Sequence, residues 1–269
     1  MPELPDVEAF KRYLDATGLH KTIKGVHVAN RTILAAISGA KLAREVRGET
    51  IERSRRHGKH LFAALGHEKW LTLHFGMTGH LDYFKDLDDD PRHDRLRFDL
   101  DNGDHLAFVD QRMFGRVGLT ADPETYIAEA HLGPDALALS GKEKAFAARF
   151  AKRRGQVKAA LMDQSILAGI GNIYSDEILF QARLHPKARV EGLNSSRIAA
   201  LCRATHSVLK TAIECDPTTD GFIDRLPKRS LLPHRRTGGH CPGCGGAVAT
   251  LKAAGRISYY CPACQKSRD

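Results

Sequence analysis

The first three residues, Met1-Pro2-Glu3, contain a group that can act as a nucleophile at neutral pH. Methionine before a small residue such as proline is normally removed, and its removal would leave Pro2 with a terminal secondary amine. A terminal amine titrates near pH 8 and a lysine side chain near 10.4, so roughly a tenth of such amines are unprotonated at pH 7. An unprotonated amine can attack a sugar aldehyde carbon and form a Schiff base, and Glu3 places a carboxylate beside it. Many chains begin with these residues, so the rest of the sequence must decide whether the chemistry applies.

Four of the six cysteines form two Cys-x-x-Cys pairs, Cys241–Cys244 and Cys261–Cys264, with sixteen residues between the pairs. This spacing is typical of a four-thiolate zinc site, and the segment is too short to bury a core of its own. Two disulfides or four free thiols are the alternatives, and the lack of a visible secretory signal favours zinc. Because four thiolates leave no open position on the ion, we expect one structural zinc and no catalytic metal.

Positive charge is concentrated in two segments of the chain, whose net charge is +9. Residues 225–269 contain nine Lys and Arg residues and a single acid, Asp269. A second basic cluster lies between residues 149 and 158, where no acid occurs. Its members are Arg149, Lys152, Arg153, Arg154 and Lys158. Such clusters indicate a polyanionic partner, most often nucleic acid, although a solvated basic face would have the same composition.

A glycine-rich turn in the middle of the chain separates two predicted helices. The first is expected over residues 157–163, and the second begins at Ile173 with Asn172 as its N-cap. Backbone N–H groups at such a helix start can bind a phosphate. An ordinary helical hairpin is the alternative, and the flanking basic clusters favour contact with a DNA backbone. Cys202 and Cys215 belong to an amphipathic stretch and are interpreted as small buried residues.

The surrounding pattern predicts an α+β fold. Pro5 and Asp6 open a helix that Gly18 closes, and many short β-like stretches follow. Those stretches are 22–28, 44–54, 60–65, 70–75, 95–100, 105–109 and 116–119. An acidic run from Asp82 to Asp94 interrupts them and is interpreted as a solvated loop without a metal. We expect an N-terminal helix with a β-sandwich-like domain, then a helical domain, and last a zinc-finger β-hairpin.

The chain of 269 residues is long enough for two modest domains. It has no run of eighteen apolar residues and no basic region followed by an apolar stretch at its start, so no membrane span or secretory signal is predicted. We therefore expect a cytoplasmic protein that associates with the nucleoid through DNA. The predicted segments are a β-sandwich-like domain at 1–121, a helical domain at 122–215, a flexible loop at 216–238 and the zinc finger at 239–269.

Three separated motifs together resemble the formamidopyrimidine-DNA glycosylase and endonuclease VIII family of bifunctional repair enzymes. They are the start MPELPDVE, the segment GIGNIYSDEILF, which matches the family's helix–two-turns–helix signature, and the C-terminal CPGC with GRISYYCPACQK. The resemblance implies that residues 1–121 form the catalytic domain and that residues 122–215 form the helix–two-turns–helix domain. The resemblance covers essentially the whole chain, and the opening is nearer the formamidopyrimidine branch. It implies a DNA glycosylase that is also an abasic-site lyase, acting as a monomer on double-stranded DNA with damaged bases or abasic sites, without a redox cofactor.

The resemblance also implies roles for individual residues. Pro2 would be the nucleophile, Glu3 would move protons, Lys59 would donate a proton or bind phosphate, and Arg256 would grip phosphates at the tip of the zinc-finger hairpin. Further residues are expected to contact DNA: His93, Arg112, Arg153, Lys158 and Asn172. Met77, Arg112 and Phe114 match the three residues that fill the gap left by a flipped-out base. Without the family resemblance, Met77 and Phe114 would be interpreted as core residues.

Some positions depart from the family pattern. Asp6 replaces the usual glutamate, Gln111 and Met113 differ from the common Asp-Pro-Arg-Arg-Phe-Gly, and the segment between Thr219 and Cys241 is short. These departures leave the lesion open among oxidised pyrimidines, ring-opened purines and abasic sites, with 8-oxoguanine expected to be a poor substrate. A non-catalytic zinc protein that binds distorted DNA is the alternative function, but it gives no reason for Pro2 and Glu3.

Overall fold

The computed structural model describes residues 1–66 and 68–267. The chain divides into two compact units, one formed by residues 1–2 and 6–130 and the other by Glu3–Pro5 with the chain from His131 onward. The predicted boundary at residue 121 lies before the helix α3 named below, whereas this division lies after it. Arg268 and Asp269, at the end of the predicted zinc-finger segment, lie outside the described residues.

The first unit is a sandwich of two antiparallel four-stranded sheets. Its helices are α1 (Leu4–Thr17, whose first two residues belong to the other unit), α2 (Gly39–Val46) and α3 (Pro123–Glu129). Its strands are β1 (Ile23–Val28), β2 (Ile51–His57), β3 (His60–Leu65), β4 (Lys69–His74), β5 (His80–Phe84), β6 (Asp94–Leu100), β7 (His105–Val109) and β8 (Arg116–Thr120). The strand orders are β1-β6-β7-β5 and β2-β3-β4-β8.

Apolar side chains of both sheets and of α1 form one core in this unit, which includes Val7, Leu61, Phe75, Phe98 and Phe108. Phe75 stacks on Phe108 with ring centroids 5.6 Å apart. Each such side chain contributes roughly 1.5–3 kcal/mol by leaving water. This core makes the sandwich a rigid support for the loops at its edges.

Two strand predictions need correction. The predicted strand over 44–54 begins in α2, because Ser38 Oγ accepts a hydrogen bond from Lys41 N at 3.2 Å and caps that helix. Strand β5 was missed, since Asp82 made its sequence look like part of the acidic run. The other predicted stretches coincide with strands to within two residues.

The second unit is helical and carries the C-terminal hairpin. Its helices are α4 (Glu143–Phe150), α5 (Val157–Met162), α6 (Asn172–Gln181), α7 (Ser195–Glu214) and α8 (Phe222–Arg225), and its strands are β9 (Ala249–Ala253) and β10 (Arg256–Tyr260). Helix α6 is buried over residues 174–180 and packs beside α5 and α7. It is therefore the central helix of the unit.

The predicted loop at 216–238 contains α8 and a single 3₁₀ turn at Leu232–His234. Leu231 is fully buried and packs with Phe180 of α6 and with Cys241. Cys202 and Cys215 are buried with free thiols, as predicted. Within the described residues, the structure has no helix that is both long and apolar enough to cross a membrane.

Candidate functional site

Glu3 is anchored at the start of α6. Its carboxylate accepts hydrogen bonds from the backbone N–H groups of Gly171 at 2.6 Å, Ile173 at 2.8 Å and Tyr174 at 3.3 Å. The side chain is 2% exposed, and Leu4 N donates to Gly169 O at 2.9 Å beside it. Helix N-termini carry partial positive charge, so this position stabilises the carboxylate anion.

Gly171 is required at this contact because of its small size. A Cβ atom at Gly171 would lie 2.4 Å from Glu3 Cδ and 2.6 Å from Glu3 Oε1. Ordinary carbon contacts are about 3.5–4.0 Å. The glycine of the turn is therefore what allows Glu3 to reach the helix.

The predicted phosphate site at this helix start needs correction. Gly171, and not Asn172, is the N-cap of α6, and three N–H groups of the helix start are bonded to Glu3. Asn172 is the first helical residue, and its side-chain N–H donates to Ile257 O at 3.3 Å. The helix start is thus a carboxylate site that orders the N-terminal segment.

Lys59 lies in the two-residue turn, Gly58-Lys59, that joins β2 to β3. It is 7% exposed, so its ammonium group is not a mobile surface charge. Burial, reinforced by the Lys59 and Arg116 charges, lowers the pKa of His74 on the adjacent strand. Burial, reinforced by His74, His57 and Lys59, also lowers the pKa of His60 to about 3. His60 and His74 are therefore neutral at pH 7.

Met77, Arg112 and Phe114 are held by two loops that touch in the first unit. A Cβ atom at Gly76 would lie 2.4 Å from the backbone carbon of Phe114, so the two loops are in close contact. The Arg112 guanidinium lies over the Phe114 ring, 5.3 Å from its centroid. Phe114 is 51% exposed and is not part of the core. Without the family resemblance, its apolar side chain would have been predicted to lie in the core.

Asp110 organises these loops, and the sequence interpretation did not single it out. Its fully buried carboxylate accepts hydrogen bonds from Thr78 Oγ1 at 2.6 Å, Gly115 N at 2.7 Å and Arg112 N at 3.2 Å. An aspartate that bonds backbone groups two residues on is a known turn signal, which the spacing from Asp110 to Arg112 carries. The exposed Arg112 and Phe114 therefore project from a fixed loop.

The remaining predicted DNA contacts differ in exposure. Arg153 is exposed in the segment after α4. His93 is partly buried with φ of 75°, and its Nδ1 accepts from the Arg95 guanidinium at 3.1 Å. Arg153 is available to a large anion, and His93 is held in one orientation.

Lys158 is a correction to the predicted DNA-binding set. Its side chain is fully buried, and its Nζ lies 2.5 Å from Asp176 Oδ1 and 3.0 Å from Ser258 Oγ. Burial lowers the pKa of Lys158, against the opposing effect of Asp176. A buried ammonium that is already paired cannot bind a phosphate from this position, so Lys158 joins α5 to α6 and the hairpin.

Arg256 is exposed at the tip of the C-terminal hairpin. It is the first residue of β10, pairs with Ala253 of β9 and follows the two-residue turn Ala254-Gly255. The structure thus confirms the predicted β-hairpin, with Arg256 next to its turn.

The four cysteines that were predicted to bind metal come together beside this hairpin. Their sulfur atoms all lie within 4.8 Å of one another, with 3.8 Å between Cys241 and Cys264 and 3.5 Å between Cys244 and Cys261. A tetrahedral ion with bonds of about 2.3 Å requires sulfur separations of about 3.8 Å. A hydrogen bond from Gly246 N lowers the pKa of the Cys244 thiol to about 7, whereas burial raises the pKa of Cys261 and raises that of Cys264 to about 12. A bound cation would therefore be needed to hold all four groups as thiolates. The cluster fits a four-coordinate metal ion.

Comparison with known proteins agrees with this arrangement. Residues 1–117 match the model of the formamidopyrimidine-DNA glycosylase N-terminal domain, and residues 132–223 match that of the formamidopyrimidine-DNA glycosylase H2TH domain. The chain belongs to the formamidopyrimidine-DNA glycosylase family. Members of this family are DNA glycosylases of base-excision repair, and abasic-site lyase activity is typical of them.

Relatives of full length support the assignment to the formamidopyrimidine-DNA glycosylase family. The chain is 36% identical over 277 residues to the formamidopyrimidine-DNA glycosylase of Pelotomaculum thermopropionicum, covering 99% of each protein. It is 35% identical to that of Acidothermus cellulolyticus, covering 98% of this chain and 97% of the relative.

Solved structures of the Lactococcus lactis formamidopyrimidine-DNA glycosylase have the same fold. One, bound non-covalently to DNA with an abasic site, matches with a TM-score of 0.87 at 29% identity, covering 98% of this chain and 100% of that one. Another, with DNA that contains N7-benzyl-Fapy-dG, matches with a TM-score of 0.88 at 29% identity, covering 99% of this chain and 100% of that one.

Proposed function

We propose that this glycosylase removes damaged bases with Pro2 as its nucleophile and then cuts the strand at the resulting abasic sugar. The observation that carries the proposal is the anchored Glu3 carboxylate, 2% exposed and bonded to three N–H groups of α6. Pro2 is joined to this fixed residue by one peptide bond, so the two Cα atoms are about 3.8 Å apart. A nucleophile next to a fixed carboxylate is an effective arrangement for acid–base chemistry.

The reaction begins when Met1 has been removed and the Pro2 nitrogen carries a free electron pair. The nitrogen attacks the sugar C1′, a bond from nitrogen to C1′ forms, and the bond to the damaged base breaks. The base leaves with the electron pair and takes a proton. The Pro2 nitrogen then loses its proton, the bond from C1′ to O4′ breaks, O4′ takes up a proton, and the nitrogen forms a double bond to C1′, which gives an iminium ion, the Schiff base.

Strand cleavage follows because the iminium ion accepts electrons. Loss of a C2′ proton breaks the bond from C3′ to its phosphate oxygen by β-elimination. A second elimination breaks the bond from C5′ to its phosphate oxygen, and each phosphate departs with the electron pair of its broken bond. These steps require proton transfer and charge stabilisation and no change of oxidation state in a cofactor.

Four residues have assigned roles in these steps. Glu3 transfers protons during base loss and ring opening, and Lys59 donates a proton or holds a phosphate from the β2–β3 turn. Arg256 binds the phosphates beside the lesion from the hairpin tip. Asn172 has a second side-chain N–H besides the one given to Ile257 O, and this group binds the same backbone.

The base must leave the helix before the reaction, and the exposed loop of the first unit fills its place. Unstacking a base costs a few kcal/mol. Phe114 and Met77 enter the vacated space as apolar groups, and the Arg112 guanidinium hydrogen-bonds the unpaired partner base. His93 and Arg153 bind the DNA backbone.

Zinc is the ion we assign to the four cysteines, since four thiolates at tetrahedral separation are a typical structural zinc set. Its contribution is to stabilise the hairpin that carries Arg256. The partner is double-stranded DNA with damaged bases or abasic sites, bound by a monomer. We place the enzyme in the cytoplasm, on DNA.

The preferred lesion is proposed from the segment before Cys241. This segment is shorter than the loop expected for oxidised purines, so we assign ring-opened purines, oxidised pyrimidines and abasic sites as substrates, with 8-oxoguanine processed poorly. Duplexes that carry 8-oxoguanine, a ring-opened purine or an oxidised pyrimidine, compared for the rate of base release, and an abasic-site duplex, followed by strand cleavage, test the assignment. Faster release of 8-oxoguanine than of the others would contradict it.

Borohydride trapping tests the mechanism, because it reduces the iminium ion to a stable covalent adduct. The mature enzyme should form an adduct with abasic-site DNA, while a Pro2→Gly variant should form far less. The control is Glu214→Gln, which changes an exposed residue at the end of α7. Absence of an adduct from the unchanged enzyme, or equal trapping by the Pro2 variant, would falsify the assigned nucleophile. Salt-sensitive binding without cleavage would instead support a non-catalytic DNA-binding protein.

A further inference from the structure

A single carboxylate in the second unit receives four hydrogen bonds. Asp176 on α6 is fully buried and accepts from Lys158 Nζ at 2.5 Å, from Ser258 Oγ, from Tyr259 N at 3.1 Å and from Arg235 Nε at 3.0 Å. Two of these donors belong to β10 and one belongs to α5. Asp176 therefore connects the helix–two-turns–helix segment directly to the C-terminal hairpin.

The donors around Asp176 are themselves tightly held. Lys158 Nζ also lies 3.0 Å from Ser258 Oγ, so the ammonium, the hydroxyl and the carboxylate form a closed triangle without exposure to water. The Arg235 guanidinium lies over the Tyr259 ring, 4.7 Å from its centroid. Several directed bonds that meet at one buried group permit only a narrow range of hairpin positions.

The hairpin tip is held on both sides of Arg256. Before it, Ala254 N donates to Gln156 Oε1 at 2.8 Å, and after it, Ile257 O accepts from Asn172 at 3.3 Å. Ser258, one of the two β10 donors to Asp176, is two residues from Arg256, or about 7 Å along the strand. The backbone of Arg256 consequently has little freedom relative to α6.

We propose that Asp176 is a positioning residue for strand cleavage, which sets the place of Arg256 through its bonds to β10. The inference rests on the proposed function, in which Arg256 binds the phosphates beside the lesion. Asp176 touches neither the sugar nor the reacting atoms in this scheme. It acts by holding the strand that presents the arginine to the DNA.

The charge and geometry of Asp176 favour this role over simple packing. A buried ion pair is weak evidence for stability, because apolar residues of the same volume often serve as well. An apolar side chain at position 176 would leave Ser258 Oγ and Tyr259 N without their acceptor. The carboxylate supplies directed acceptors for β10 that packing alone does not supply.

A double-mutant cycle between Asp176→Asn and Arg256→Ala tests the proposal. The two measurements are the dissociation constant for a duplex with an abasic-site analogue and the single-turnover rate of strand cleavage at an abasic site. We expect Asp176→Asn to lower the cleavage rate on the order of tenfold to a hundredfold, as small misplacements of a binding group do. In the Arg256→Ala background the same change should lower binding and cleavage by less than about twofold. Glu214→Gln is the matched control, since it removes one exposed negative charge from the same unit.

The outcomes separate this proposal from the proposed function. Equal losses caused by Asp176→Asn with and without Arg256 would show a general loss of structure and overturn the proposal. Unchanged binding and cleavage in Asp176→Asn would overturn it too. If the unchanged enzyme forms no borohydride adduct and cuts no strand, the proposed function fails, while the binding cycle still decides whether Asp176 acts through Arg256.

A second variant covers the case in which Asp176→Asn does not fold. Ser258→Ala removes only one of the bonds to Asp176, and circular dichroism with zinc analysis establishes that the protein is intact. A smaller loss of binding that disappears in the Arg256→Ala background supports the proposal. A loss that persists there contradicts it.

Discussion

Replacing Gly171 by alanine places a methyl group where the Glu3 carboxylate lies. The new Cβ would be 2.4 Å from Glu3 Cδ and 2.6 Å from Oε1, about 1 Å or more inside ordinary contact distances. The φ of Gly171 is −126°, which alanine adopts without strain, so the clash with Glu3 is the whole perturbation. The carboxylate has to move away from the start of α6.

The size of the effect follows from the bonds that Glu3 makes. A shift of about 1 Å breaks the hydrogen bonds of 2.6 and 2.8 Å, each worth roughly 1.5–3 kcal/mol because one partner is charged. Water replaces part of this, so we expect the free energy of unfolding to fall by about 2–4 kcal/mol. Displacement of Glu3 and of the adjoining Pro2 should slow base release and adduct formation by about 100-fold.

Single-turnover base release, borohydride trapping and urea denaturation measure these effects. The matched control is Gly192→Ala, because a Cβ at Gly192 would meet no atom within 4 Å. The rate should fall in the first variant and stay within about twofold of wild type in the second. Equal rates in Gly171→Ala and wild type, or equal losses in both alanine variants, would refute the argument that Gly171 acts by admitting Glu3.

Three further predictions concern the exposed Phe114, the buried His60 and the metal. Phe114→Ala should change the free energy of unfolding by less than about 0.5 kcal/mol, since the ring is 51% exposed. The same variant should weaken binding to an abasic duplex by about 1–3 kcal/mol. A loss of stability like that of a core phenylalanine would contradict this prediction. Burial lowers the pKa of His60 to about 3, so below pH 6.5 the unfolded chain takes up a proton at this residue and the folded protein does not. This difference alone should lower the free energy of unfolding by about 2 kcal/mol between pH 6.5 and 5. Urea denaturation of His60→Phe at both pH values should lack that part of the pH dependence, and an unchanged dependence would refute it. Removal of the metal by a chelator should abolish tight DNA binding and strand cleavage, and added zinc should restore both; undiminished binding by the stripped protein would show that the four-cysteine cluster does not support the hairpin.

Local patterns made much of this protein predictable. The Cys-x-x-Cys spacing predicted a four-sulfur cluster because two such turns bring four thiolates to one ion. Short β-like stretches predicted most strands of the sandwich, and Gly18 marked the end of α1. Strand β5 was missed because its sequence overlaps the acidic run. Helix α2 was partly predicted as a strand because a short amphipathic helix can resemble one in sequence.

The candidate site depended on contacts between residues far apart in the chain. Lys158 belongs to a basic cluster by sequence, and only the folded structure pairs it with Asp176 and Ser258. Asp176 has no periodic or spacing signal that marks it as the centre of a buried hydrogen-bond network, and the spacing from Asp110 to Arg112 indicates a turn but not the burial of the carboxylate. Net charge and composition describe how many charges a segment carries, but they contain no information about which charges are paired.

The sequence by itself determined the chemical inventory of the protein: a proline and a glutamate at residues 2 and 3, an arginine next to a predicted hairpin turn and four cysteines at metal-binding spacing. Those properties depend on residue type and on separations of a few residues. The tertiary structure decided that Glu3 caps a helix that begins about 170 residues later, and that Gly171 leaves room for it. Such a contact depends on how distant segments pack. It forms because a buried carboxylate must have N–H donors and the N–H groups at a helix start must have an acceptor.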